Sequence, residues 1–443
     1  MPTISAVLIV RNEEKHLERC LLSLFGVVDE IVVVDTGSED NTERIARSYG
    51  ARIGHFPWVD DFSAARNTAL HLAQGDYVLS IDADEWIENG EEAKTLLHRF
   101  VQGHGPETVG TVEIVSTVGT APECQEVVDH TERFFHRVSC RFEGAIHEQI
   151  MLFNGSKQTA STGLRLGHSG YAQPTNAPDH KALRNLKILR KEVERLPDDE
   201  YCWYQLGKAF FSLKDYEAAI EAFQTALARI RFTEGSVPQG RLGGVSREVL
   251  TGALVSLAYA LVNTGKPQEA AALLKQHLAL GHNGVFWSDF HHARGYVHLM
   301  LGNLPESRAA YLESLRLGQD HEDVRGTGSF SSAYHLGLLS EAEDNLPEAL
   351  KWYTESLRCK CDYPPVLSRC IDLAAEQNIV FPIDLLELAD REAFSALYLK
   401  RLRHFMENNL TAAASRLIQA AECSPSLHGL CKASLVHSSS HTD

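Results

Sequence analysis

No stretch of this chain approaches the roughly 20 consecutive apolar residues that a membrane-spanning helix needs. The first apolar run, residues 4–10, is short and leads straight into Arg11-Asn12-Glu13-Glu14, so no secretory h-region follows Met1. Cysteine is sparse: nine residues in 443, scattered, with no C-x-x-C pair, and Cys359-Lys360-Cys361 is too tight for a usual zinc half-site. The expectation is a reduced, cytoplasmic protein without a disulfide framework. Positive charge is short too. The 42 Lys and Arg are outnumbered by 59 Asp and Glu, giving a net charge of −17. That argues against a nucleic-acid backbone as main partner and leaves a basic peptide open. Two glycine signatures are also missing. No G-x-G-x-x-G follows the first apolar run and no G-x-x-x-x-G-K-[ST] occurs anywhere, so neither loop is there to cradle a phosphate.

What is present is an α/β rhythm. Residues 5–10 are apolar and β-branched, as in a buried parallel strand. A helix comes next with Leu17, Leu21, Leu24 and Phe25 at helical spacing, ended by Gly26. Residues 30–34 read as a second strand with Asp35 at its carboxyl end. Asp40 and Glu43 then read as a capping box. Residues 51–56 are a third strand, and Asp60-Asp61-Phe62-Ser63 introduces a third helix. The apolar run from Tyr77 stops at Asp82 and Asp84, two carboxylates spaced i, i+2. This order implies a parallel sheet with helices on both faces. Ligands of such sheets sit beyond the carboxyl ends of the strands. Paired carboxylates there suit a hard divalent cation and, through it, a diphosphate. Asp35 is placed to accept hydrogen bonds from a base or ribose, and Asp61, Arg66 and Asn67 lie where a helix start would face the same cleft. Residues 109–118 and 132–138 read as further strands. His147, Glu148 and His168 each stand beside strand-like sequence. Arg133 and Arg137 are candidates for a phosphate contact, a brace or a surface ion pair.

Four segments in this order resemble family 2 glycosyltransferases of the GT-A fold: Val7-Leu8-Ile9-Val10-Arg11-Asn12-Glu13, the stretch from Val32 through Asp35 to Thr42, Phe62-Ser63-Ala64-Ala65-Arg66-Asn67, and Ile81-Asp82-Ala83-Asp84-Glu85. The resemblance implies a nucleotide-diphospho-sugar transferase that uses UDP-glucose or UDP-N-acetylglucosamine. Its donor side would comprise Val10, Asn12, Glu13, Asp35, Asp61, Arg66, Asn67, Asp82 and Ala83, with Asp35 on the uracil and Asp82 on the ribose or sugar. It implies Mn²⁺ or Mg²⁺ on Asp84 and His168, and His147-Glu148 as the acceptor-side catalytic motif, with Glu148 as base. The Asp-Ala-Asp-Glu form, together with a helical second half, is similar to bacterial enzymes carrying C-terminal helical repeats, among them the sublancin-type peptide S-glycosyltransferases.

In that second half, Trp203, Leu206, Gly207, Phe210, Ala219, Phe223 and Ala226 reproduce tetratricopeptide spacing, and weaker copies occur around Ala258, Gly295 and Gly337. Such hairpins bury their apolar faces only by stacking into a solenoid, whose groove holds a peptide or supports self-association into a homo-oligomer. The expected organisation is a GT-A domain over 1–176, a connecting helix over 177–199 and an all-α tetratricopeptide-type solenoid over 200–362. A helical cap over 363–431, with Pro364-Pro365 breaking the pattern, and a disordered tail over 432–443 complete it. The function this implies is inverting, metal-dependent transfer of a hexose to a peptide or protein Ser, Thr or Cys. The alternatives are a cell-surface saccharide or lipopolysaccharide-core acceptor, or a non-catalytic scaffold.

Overall fold

Residues 4–10 are apolar without alternation because their strand is covered on both faces. β1 (Ile4–Val10) lies inside an eight-stranded sheet, flanked in parallel by β2 (Glu30–Asp35) and β4 (Tyr77–Ser80). Ile4, Ala6, Leu8 and Val10 enter one core with Leu17, Cys20, Leu21 and Leu24 of α1 (Leu17–Leu24). Val7 enters the opposite core with Val32, Val34, Val78 and Ala69, the last from α3 (Phe62–Leu72). The computed structural model describes residues 2–118, 125–168, 180–230, 246–279, 288–319, 324, 326–377, 387–408 and 410–421. The chain divides into two compact units, Met1–Arg195 and Leu196–Asp443.

The first unit continues through α2 (Thr42–Ser48), β3 (Arg52–His55), β5 (Glu85–Ile87), α4 (Gly90–Gly103), β6 (Thr108–Val118), β7 (Gln125–His136), β8 (Cys140–Glu143), β9 (Gln149–Leu152), β10 (Gln158–His168) and α5 (His180–Arg195). Strand order is β3-β2-β1-β4-β7-β6-β10-β5. The first four strands are parallel, as their connecting helices require. β7 then runs antiparallel to both β4 and β6, and β5 antiparallel to β10, so the whole sheet is mixed rather than parallel. The chain leaves β1 toward β2 and β3, then returns to place β4 on β1's other side. That reversal opens a crevice at the carboxyl ends of β1 and β4. β8 and β9 form a separate ribbon whose Cys140, Phe142 and Ile150 pack into the core beside Ala69.

Two local readings change. Phe25 falls just past α1, where Gly26 (φ 78) turns the chain, and is 83% exposed. Asp40 caps Thr42 and Glu14 through their backbone N–H groups, while Glu43 pairs with Arg47, so no reciprocal capping box forms. Helix α5 falls within the first unit. Its Lys187 and Lys191 meet Asp60 at 3.1 and 2.7 Å, and those ammonium groups hold the Asp60 carboxyl down at about 2.

The second unit is built of antiparallel helix pairs: α6 (Glu200–Ser212) with α7 (Tyr216–Arg229), α8 (Ser246–Asn263) with α9 (Pro267–Ala279), α10 (Ser288–Met300) with α11 (Leu304–Leu317), and α12 (Phe330–Ala342) with α13 (Leu346–Cys359). The first helix of every pair ends alike. Lys214, Gly265, Gly302 and Asp344 adopt positive φ, and the next residue's N–H reaches a carbonyl five residues back. This is the Schellman geometry, which satisfies the last orphan carbonyls of a helix. α14 (Pro364–Gln377) starts on the very prolines expected to break the pattern. A proline at the first helical position loses no intrahelical bond, so it opens a helix here. Helices Arg391–Glu407 and Thr411–Ala421 pack with α14. Among the described residues no helix is long and apolar enough to cross a membrane. Residues 172–178, residues 234–245 and the tail at 432–443 lie outside the described residues.

Close approach within a pair has a cost in side-chain size. A Cβ added at Gly295 would sit 2.8 Å from the ring of Tyr311, a residue with no exposed surface. Gly295→Ala is therefore expected to destabilise the chain by about 1–3 kcal/mol, read as a lower denaturant midpoint. A second outcome concerns pH. Burial holds His292 down at about 3, with the nearby His335 adding to it, and holds His291 at about 4. The unfolded chain binds these protons near pH 6.5 and the folded one does not. Stability should be full above about pH 6.5 and fall as pH drops toward 4, by up to about 1.4 kcal/mol per pH unit for each histidine. His292→Gln should flatten that slope in melts recorded from pH 7 to 5.

Candidate active site

The end of β4 delivers the paired carboxylates, and the sheet supplies their surroundings. Asp82 is held from two sides. Arg66 of α3 donates Nη2 to Asp82 Oδ1 at 2.8 Å, and Arg133 of β7 donates Nη2 to Asp82 Oδ2 at 2.9 Å. Burial opposes a charge at Asp82, but the guanidiniums of Arg133 and Arg66 outweigh it and hold the carboxyl well below the usual range. An ionised carboxylate is acceptor-only, so Asp82 can still take hydroxyl donors from a ligand. Its side chain remains 34% exposed.

Glu85 lies beneath this pair. It is 3% exposed, accepts the Asp82 N–H at 2.9 Å and takes Arg133 Nη2 at 2.8 Å. Burial pushes its carboxyl up, against the pull of Arg133. Glu85 thus fixes the turn that carries the two aspartates. Arg133 is 12% exposed and pairs with Asp82 and Glu85 through Nη2, while its buried Nε has no hydrogen-bond partner among the described residues. Arg137 braces the entry to β4 by donating Nε to Gly75 O at 2.6 Å.

On the other side, Arg66 also donates Nη1 to Ser80 Oγ at 3.1 Å and Nε to Glu148. Glu148 follows His147, whose backbone is left-handed (φ 52) and whose side chain is exposed. Gly144 (φ 98) and His147 together make the β8–β9 turn tight enough to bring Glu148 back over α3. Glu148, Arg66, Asp82, Arg133 and Glu85 therefore form one continuous chain of alternating charge.

Asp84 leaves the turn in another direction. Its Oδ2 stands 3.4 Å from His168 Nε2, and His168 Nδ1 faces Ser116 Oγ at 3.0 Å. They meet because β10 and β5 pair His168 with Glu85. The hydrogen bond to Asp84 raises the His168 pKa, against burial. A small divalent cation bonds oxygen at about 2.0–2.2 Å, which places neighbouring ligands about 3 Å apart. The Asp84–His168 spacing and its oxygen–imidazole donor set fit such an ion. Among the described residues no group of three or more His, Cys, Asp or Glu could hold a metal. The protein would supply two ligands and leave the rest to substrate phosphate and water, the usual arrangement for Mg²⁺.

Of the remaining expected donor residues, Val10 is buried at the end of β1, and its carbonyl accepts from Thr36. Asp35 is 5% exposed and its Oδ1 accepts the N–H groups of Gly37 and Ser38, both at 2.7 Å. Asn12 (φ 57) accepts the Glu39 N–H, and the Glu13 N–H reaches Thr42. Asp61 caps α3 through Ala64 N–H. Asn67 pairs with both backbone groups of Phe142 at 2.9 Å, like a short piece of strand. Ala83 is buried between the two aspartates. Arg133 and Glu85 are the residues sequence reasoning underrated. The available signal was an arginine set against the buried pair Phe134-Phe135 within a strand.

Residues 5–126 match the family model described as Glycosyl transferase family 2, and residues 200–230 and 255–322 match Tetratricopeptide repeat models. A TPR repeat-containing protein of Synechococcus elongatus is 32% identical over 231 residues, covering 49% of this chain and 55% of that one. The SPbeta prophage-derived glycosyltransferase SunS of Bacillus subtilis is 26% identical over 235 residues, covering 51% and 53%. The chain thus spans about half the length of these two curated relatives. An uncharacterized glycosyltransferase of Rickettsia prowazekii is 36% identical over 242 residues, covering 50% of this chain and 81% of the relative.

The buried charge chain makes a stability forecast. Arg133→Met leaves Glu85 buried without its cation and should cost about 3–5 kcal/mol in chemical denaturation. Adding Glu85→Gln to that variant should return part of the loss, since the stranded charge is then gone.

Proposed function

Because the chain belongs to glycosyl transferase family 2 and carries tetratricopeptide repeats, we propose that it transfers a hexose from a UDP-sugar, with inversion, to a peptide or protein acceptor. The observation that carries this reading is the divergence of two carboxylates at one strand end, with Asp82 held between Arg66 and Arg133 and Asp84 facing His168. UDP-glucose and UDP-N-acetylglucosamine are the donors in view.

Asp35, buried at the end of the adjacent strand, would receive the uracil, with Val10 forming the neighbouring wall. Asp82 would accept a ribose or sugar hydroxyl, its charge secured by the two guanidiniums. Asn12, Glu13 and Asn67 would shape the cleft, since their hydrogen bonds tie its loops together, and Asp61 would do so by capping the start of α3. Asp84 and His168 would hold Mn²⁺ or Mg²⁺. The chemistry such an ion supplies when bound is neutralisation of charge on the departing diphosphate. Ser116 keeps the His168 ring turned so that Nε2 addresses Asp84.

The acceptor atom attacks the anomeric carbon on the face opposite the diphosphate, forming the new glycosidic bond as the bond to phosphate oxygen breaks. A serine or threonine hydroxyl must give up its proton in that step. Glu148, on the far side of Arg66 from Asp82, is the base for it, with exposed His147 lining the acceptor entrance. A cysteine thiol, with a pKa of about 8.5, needs less help. The repeats support a macromolecular acceptor, because stacked helix pairs build an extended concave surface.

Thermal unfolding of the purified chain provides the test. UDP should raise the melting temperature only with Mn²⁺ or Mg²⁺ present, and Asp84→Ala should abolish that protection. Protection that survives in Asp84→Ala would refute the metal assignment. Intact-mass measurement with candidate peptides and UDP-glucose should show addition of one hexose.

A further inference from the structure

Arg66 has two anionic partners, and under the proposed function they serve opposite halves of the reaction. Its Nη2 edge holds Asp82 on the donor side, and its Nε holds Glu148 on the acceptor side. Ser80 Oγ takes Nη1 at 3.1 Å and pins the group from below. The guanidinium is planar and rigid, so its donors cannot be re-aimed independently. The Arg66 side chain is only 9% exposed, and that of Glu148 12%. Water therefore screens these charges poorly.

The partners are unequally provided for. Asp82 has a second cation in Arg133. Among the described residues the ion pairs of Glu148 go to Arg66. Any movement of Arg66 toward one carboxylate weakens its hold on the other, and Glu148 loses more by it than Asp82.

We infer that Arg66 is a positioning residue that couples the two sides: engagement of Asp82 by the nucleotide-sugar is transmitted through the guanidinium to Glu148, and the charge state of Glu148 is transmitted back to the donor. This rests on the proposed donor and acceptor roles. Asp82 then acts beyond hydroxyl recognition, because what it accepts from the donor alters how firmly Glu148 is held. The coupling is reciprocal, as any linkage between two binding events must be.

Two measurements on the full chain test it. In the first, UDP affinity in the presence of Mn²⁺ is measured by titration calorimetry. The proteins are the wild type, Glu148→Gln, Arg66→Met and the double variant. Glu148→Gln should change UDP affinity by about 3-fold or more, and by less than about 2-fold in the Arg66→Met background. An equal effect in both backgrounds means plain long-range electrostatics and overturns the inference, as does no effect at all. Arg66→Lys restores the charge as a single point and should not restore the coupling. Full recovery in Arg66→Lys overturns the bridge.

The second measurement needs no ligand. Asp82→Asn and Glu148→Gln are combined in a double-mutant cycle on the unfolding equilibrium constant. The cycle should deviate from additivity by about 3-fold or more with Arg66 present, and by a different amount with Arg66→Gln, which keeps some hydrogen bonding and aids folding. A cycle unchanged by Arg66→Gln overturns the inference. A wild-type chain that binds no UDP, yet shows the Arg66-dependent cycle, instead overturns the donor reading and keeps the coupling as a property of the fold.

Discussion

Asp82 sits between two guanidiniums, and the rest of the first unit is arranged around that constraint. Carboxylates and guanidiniums in a site this sheltered are costly unless each meets an opposite charge at hydrogen-bond distance. The alternating chain from Glu148 through Arg66, Asp82 and Arg133 to Glu85 meets this condition with contributions from α3, β7, the strand end and the β8–β9 turn. Each element must therefore be in register for the others to stay charged. The fixed geometry also leaves Asp84 outside the chain, where it faces His168 and solvent. One carboxylate is structural and available to a ligand; the other stands beside an imidazole and suits a cation.

The sheet makes this convergence possible. Reversal of strand order about β1 puts the ends of β1, β2 and β4 side by side, so Val10, Asp35 and Asp82 share one edge. The antiparallel insertion of β7 next to β4 brings Arg133 across from that edge. Pairing of β10 with β5 returns His168 to the residue after Asp84. The hydrogen-bond ladder thus fixes the distances among groups far apart along the chain.

The second unit obeys a different rule. Its helix pairs hold together through small residues under large rings, as with Gly295 beneath Tyr311, and through a repeated left-handed turn. These are local devices, repeated with insertions between them, and they read clearly in a single sequence. The buried histidines His291 and His292 could not be read this way. Their burial depends on stacking between successive pairs, which no single hairpin encodes.

The sequence by itself determined the α/β rhythm, the helical repeats, the paired aspartates and the residue types of the site. Each of these is written in periodicity, turn chemistry or adjacent positions. Tertiary structure alone decided that the sheet is mixed, that Asn67 is occupied in tying α3 to β8, and that Arg133 is buried against Asp82. It alone put Arg66 between Asp82 and Glu148. The physical reason is that an ion pair depends on separation in space, and that separation is set by strand order and ladder register between distant segments.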